Sequence, residues 1–140
     1  MDYGNFLCYR ISTLARKIAK AHNLLCTEYG ITASQSFVLF DLLKNEGSSV
    51  KEIAANLQLD SPAITGYVDR LIKEDLVYRA EDSADRRVYR LYLTDKGRKL
   101  AEILLPKTRE LHLKIIDIIE NDSDALERAI TKLEKELLQD

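Results

Sequence analysis

The chain is 140 residues long, 46% apolar and 31% charged, with five glycines, two prolines and no low-complexity tract, which is the make-up of one globular domain. Two cysteines, Cys8 and Cys26, are too few for a disulfide framework, and no apolar run approaches the roughly 18 residues that span a bilayer. The start, Met1-Asp2-Tyr3-Gly4-Asn5, lacks the basic and apolar blocks of a signal peptide, so a cytoplasmic protein with no membrane partner is expected. Net charge is −2, but it is unevenly spread. Residues 1–60 carry 6 basic and 6 acidic groups, 61–99 carry 9 and 7, and 100–140 carry 6 and 10. Within 86–99, Arg86, Arg87, Arg90, Lys96, Arg98 and Lys99 face Asp95 alone. Such a stripe suits a phosphate backbone, and equally a solvated surface.

In chain order, Leu7, Ile11, Leu14, Ile18, Ala21 and Leu25 step by four and three, predicting a first helix with a heptad-like seam that ends at Tyr29-Gly30. Thr32-x-x-Gln35 is a capping box for a helix carrying Phe37, Val38, Phe40, Leu42 and Leu43, closed at Glu46-Gly47. Ser49-x-x-Glu52 is a second capping box, opening a short helix with Val50, Ile53, Ala54 and Leu57. Gln58-Leu59-Asp60 is the following turn, with Ser61 as the expected cap and Pro62 at the first helical position. The next helix, residues 62–74, buries Ile64, Val68, Leu71 and Ile72 and presents Ala63, Thr65, Gly66, Asp69, Arg70 and Lys73.

Two short helices joined by a tight turn form a helix-turn-helix candidate. Ser61, Ala63, Thr65 and Gly66 on the open face of the second helix are small enough to let its backbone enter a major groove, where hydroxyls reach base edges or phosphates. Gly66 inside a helix costs about 1 kcal/mol against alanine, so close approach to DNA or to a neighbouring helix is required to explain it. A hairpin follows: residues 76–80, a turn over 81–87, and Val88-Tyr89-Arg90-Leu91-Tyr92-Leu93 as the return strand. It reads as a wing with Arg86 and Arg87 at the tip, within reach of a minor groove. Asp85 is expected to pair with a nearby arginine and hold it in pose. Thr94 caps a long helix to about Glu120 with Pro106 inside it, and a last helix after Asn121-Asp122-Ser123 places Leu126, Ile130, Leu133 and Leu137 on one side. The terminal helices carry more apolar surface than a chain this size covers alone, which points to a homodimer, with an intramolecular bundle as the alternative.

The run Leu76-Val77-x-Arg79, then Asp85-Arg86-Arg87, then Leu91-x-Leu93-Thr94-x-x-Gly97, resembles the wing signature of the MarR family of transcription regulators, and Ile31-Thr32-x-x-Gln35 with Val38-Leu39 resembles that family's second helix. The order of elements resembles the family over essentially the whole chain. That resemblance implies a mainly α fold with a small β-hairpin wing. Residues 31–99 would form the winged helix-turn-helix, and residues 1–30 and 100–140 the dimerisation helices of a single domain. It also implies a regulator, mostly a repressor, that binds a near-palindromic operator on double-stranded DNA and is released by a small aromatic or lipophilic ligand, an oxidant or a metal. By position, Arg87 matches the family's minor-groove residue and Arg86 a phosphate or groove contact. Ser61, Pro62, Ala63, Thr65, Gly66 and Arg70 fall on the recognition-helix side, and Arg79 and Asp85 support the wing.

No cofactor is implied, and no ligand-pocket residue follows from the resemblance. Cys8, in Phe6-Leu7-Cys8-Tyr9, resembles the reactive cysteine of the family's peroxide-sensing branch; the alternative is a small apolar residue in an interface. His22 and Cys26 stand four apart with His112 as a conceivable third metal ligand, although partly buried or solvated histidines account for the same residues. An enzyme is not expected: neither histidine belongs to a nucleophile–base constellation, and there is no glycine-rich phosphate loop. A rival reading is a winged-helix protein–protein adaptor, which would ignore duplex even at low salt.

Overall fold

Capping chemistry sets most of the helix boundaries. In this structure, a computed structural model describing residues 2–137, α1 (Leu7–Thr27) is followed by α2 (Ala33–Lys44) and α3 (Val50–Leu57). Both capping boxes close reciprocally. Thr32 Oγ1 accepts from Gln35 N at 3.2 Å while Gln35 Oε1 accepts from Thr32 N at 3.0 Å, and Ser49 and Glu52 exchange the same pair at 3.2 Å each. The next helix, α4 (Ser61–Lys73), departs from expectation. Its cap is Asp60, whose carboxylate accepts from Ala63 N at 2.7 Å, so Ser61 is the first helical residue and Pro62 the second. A carboxylate caps as well as a hydroxyl and adds attraction to the helix dipole, and the second helical N–H has no intrahelical partner for proline to forfeit. The Ser61 hydroxyl is thereby left on the surface.

The chain then forms β1 (Val77–Glu81) and β2 (Tyr89–Leu93), antiparallel in the register Val77↔Leu93 to Glu81↔Tyr89. Ser48 adds an isolated antiparallel bridge to β2: Leu91 N donates to Ser48 O and Gly47 N donates to Leu91 O, both at 2.9 Å. The last helices are α5 (Asp95–Ile119), containing Pro106, and α6 (Ser123–Glu136). Thr94 caps α5 through Gly97 N at 2.9 Å. The architecture is mainly helical with a two-stranded hairpin.

One core joins Val38, Leu39 and Leu42 of α2, Ile53 of α3, and Ile64, Val68 and Leu71 of α4 to Val77, Leu91 and Leu93 of the hairpin; Leu100, Ala101 and Leu104 of α5 complete it. Cys26 of α1 is fully buried there as well. The chain divides into two compact units inside α5, at Lys107 and Thr108. The physical reason is that the last turns of α1 and the first turns of α5 supply core residues. Earlier in α1 the seam lies open, with Leu7 71% and Leu14 54% exposed. In the second unit, α6 has no buried residue, and Leu126, Ile130, Leu133 and Leu137 are all exposed.

Candidate nucleic-acid interface

Between α3 and α4 the chain turns through Gln58, which takes a left-handed conformation (φ 56°), and Leu59 N donates to Ala54 O at 3.0 Å. The α3 helix is also tied to α2 by Asn56 Nδ2, which donates to both Asp41 oxygens at 3.2 and 3.3 Å. With Ile64, Val68 and Leu71 committed to the core, the opposite side of α4 is fixed by helical geometry. Ser61, Pro62, Thr65, Gly66 and Arg70 are exposed there and Ala63 is half-buried. A methyl group built on Gly66 would meet nothing within 4 Å. Packing against another helix of the described chain therefore does not account for that glycine. Arg70 pairs with Glu74 one turn on at 3.4 Å, an exposed contact of small energetic consequence.

The wing tip is built by a tight turn. Asp82 N donates to Val88 O at 2.9 Å, and Val88 N donates to Asp85 O at 3.0 Å. Asp85 Oδ1 accepts from Arg87 Nε at 3.1 Å and from Arg87 N at 3.0 Å. The Arg87 side chain, and then its backbone N–H, hold the Asp85 carboxyl below its ordinary range. Arg87 is nevertheless 90% exposed, so the carboxylate steers the guanidinium without covering it. Arg86 beside it is exposed and makes no ion pair among the described residues. At the base of the wing, Arg79 Nη2 donates to Asp69 Oδ1 at 2.8 Å and its guanidinium lies 5.8 Å from the Tyr89 ring centre, fastening β1 to α4.

The basic stripe is narrower than its sequence suggests. Arg90 bonds to Glu52 and Asp82, Arg98 to Glu46, and Lys96 Nζ donates to Glu74 O at 2.8 Å. These three cations fasten segments of the module to one another. Sequence spacing could not separate them from Arg86 and Arg87, because the acceptors on Glu52, Glu74 and Glu46 lie 22 to 52 residues away.

The other candidate residues are placed apart from this surface. Cys8 is exposed in the first turn of α1, near Tyr9, which packs edge-on against Tyr3 with ring centres 5.2 Å apart. His22 and Cys26 are buried: the His22 ring meets Phe37 edge-on at 4.9 Å and lies 3.5 Å from Ser36 Oγ. Burial lowers the His22 pKa, and it raises that of Cys26 against an opposing hydrogen bond with Ser36. Burial thus favours the uncharged form of both side chains. His112 is exposed in the later part of α5. No three His, Cys, Asp or Glu side chains converge as a metal set among the described residues, and no helix of the described chain is long and apolar enough to cross a membrane.

A helix-turn-helix followed directly by a hairpin packed on the same core is a winged helix. The MarR family profile matches residues 31–89, which span α2 through the first residue of β2 and include α4 and the wing tip. The HTH-type transcriptional regulator TtmR of Methylorubrum extorquens is 39% identical over 94 residues, covering 67% of this chain and 48% of that protein. The HTH-type transcriptional repressor MdtR of Bacillus subtilis is 41% identical over 76 residues, covering 54% and 49%. The chain thus spans about half the length of these two curated relatives, which are named as transcriptional regulators and not as enzymes. Among solved structures, a mutant MarR from E. coli complexed with operator DNA superposes with a TM-score of 0.85 at 25% identity, covering 95% of this chain and 99% of that one. Residues 31–89 thus match the MarR family, and they fold as a winged helix-turn-helix.

Proposed function

We propose that the protein is a sequence-specific transcriptional regulator. Two copies bind a near-palindromic operator on double-stranded DNA and repress transcription until a small aromatic or lipophilic effector releases them; no cofactor is required. The observation that carries this reading is the pairing of two surfaces on one core. One is the α4 face with exposed Ser61, Thr65 and Gly66, and the other is the wing tip with Arg87 extended from Asp85. The similarity to a MarR bound to operator DNA and to the repressor MdtR supports the same reading. The exposed apolar residues of α1 and of α6 support a second copy of the chain as their cover.

Two measurements test it. Selection from a random-sequence duplex pool by the purified protein recovers a motif with twofold symmetry, and sedimentation gives a dimer at micromolar concentration. Failure to enrich any sequence, or a stable folded monomer, contradicts the reading. Gly66 separates stability from binding. Gly66→Ala raises helix stability by about 1 kcal/mol, because the added methyl meets no neighbour, and it weakens binding to the selected duplex. A variant that is more stable and binds unchanged removes Gly66 from the contact surface.

A further inference from the structure

We propose that Arg90 is a positioning residue: it locks the wing to the first helix of the helix-turn-helix, so that Arg86 and Arg87 reach duplex DNA in register with α4. The inference rests on the duplex-binding reading above and names what aims that surface. Arg90 lies on β2, and its guanidinium meets three acceptors from three separate segments. Nη1 donates to Glu52 Oε1 at 3.1 Å and to Gly47 O at 3.4 Å, and Nη2 donates to Asp82 Oδ2 at 3.1 Å.

Each carboxylate is itself part of a local lock. The second oxygen of Glu52 accepts from Ser49 N at 3.2 Å, closing the capping box that starts α3. The second oxygen of Asp82 accepts from Ala84 N at 3.0 Å, fixing the turn that carries the tip arginines. Arg90 therefore connects the start of α3 to the wing turn through one planar group, a task suited to a guanidinium fork and not to a lysine ammonium. A two-stranded hairpin alone is marginally stable, so its pose depends on such fastenings. Two carboxylates against one guanidinium leave the cluster net negative, which makes Arg90 a poor phosphate contact and distinguishes it from the exposed Arg86 and Arg87.

The test compares Arg90→Met with the unaltered protein in two backgrounds, wild type and Arg86→Ala/Arg87→Ala. The probe is a fluorescein-labelled duplex selected by the unaltered protein from a random-sequence pool, and a double-mutant cycle isolates the coupling. Arg90→Met is expected to weaken the probe about tenfold in the wild-type background, the loss of roughly one good groove contact. In the background lacking both tip arginines it has no further effect. Amide exchange over residues 82–88, measured without DNA, speeds up in Arg90→Met, and Arg90→Lys restores protection only in part. Equal loss in both backgrounds, or unchanged exchange over 82–88, overturns the proposal. Should Arg90→Met fail to melt cooperatively, Asp82→Asn supplies the same cycle with the arginine kept. If the unaltered protein selects no duplex, the regulator reading fails, and the exchange measurement alone decides whether the lock exists.

Discussion

Replacing Gly97 by alanine is expected to destabilise the fold by about 3 kcal/mol or more, the upper range for forcing a group into a packed site, and to lower the thermal midpoint by roughly 10 °C. A Cβ at this position would lie 1.9 Å from the carbonyl oxygen of Leu76 and 2.8 Å from its carbon. The obstacle is backbone, and the same carbonyl accepts from Thr94 N at 3.1 Å, so yielding to the methyl breaks the joint between β1 and α5. Thr94 Oγ1 donates to Asp75 O at 2.6 Å in the same joint, leaving the segment little freedom to retreat. Alanine is otherwise favoured over glycine in a helix by about 1 kcal/mol, so the sign of the change is informative. Calorimetry or urea titration of the variant reads it directly. An unchanged or raised midpoint shows that α5 stands clear of Leu76.

The second large effect is on binding. Arg86→Ala/Arg87→Ala is expected to weaken the selected duplex about a hundredfold at fixed salt, two contacts being removed at roughly tenfold each. It also reduces the slope of log affinity against log salt by about 1.8, or about 0.9 per phosphate-neutralising charge lost. Thermal stability changes little, because Arg87 is 90% exposed and its pair with Asp85 is a surface contact. Anisotropy titrations across a salt series provide both numbers. A variant that keeps the wild-type slope shows that the wing tip does not meet the backbone of the duplex.

Much of the module was legible in the sequence because its signals are local. The Thr32–Gln35 and Ser49–Glu52 boxes place helix starts through contacts three residues apart, and both close as expected. The hairpin was readable from alternation, and the structure places its strands within a residue or two of the expected bounds. The cap of α4 was misplaced because Asp60 and Ser61 are adjacent and either side chain can serve; only the hydrogen bond to Ala63 distinguishes them. Features that depend on distant partners left no signal. The Ser48 bridge is one residue long, the acceptors of Arg90 and Arg98 lie up to 52 residues away, and the need for glycine at 97 arises from Leu76. His22 and Cys26 show the same limit. Their spacing fits metal ligands as well as core groups, and the burial of both beside Phe37 and Ser36 is visible only in the fold. On the candidate surface, residue types pointed to the α4 face and to Arg86 and Arg87, whereas the fastening arginines could not be told from the exposed ones by composition.

We propose that the α4 face and the arginine-tipped wing act together on duplex DNA. The most direct test is an anisotropy titration of the unaltered protein against the selected duplex and a scrambled duplex of equal length, from dilute to physiological salt. Joint action of helix and wing requires saturable binding to both in dilute buffer, a log-linear fall with salt, and a preference for the selected sequence that persists as salt rises. Absence of binding to either duplex in dilute buffer would contradict it.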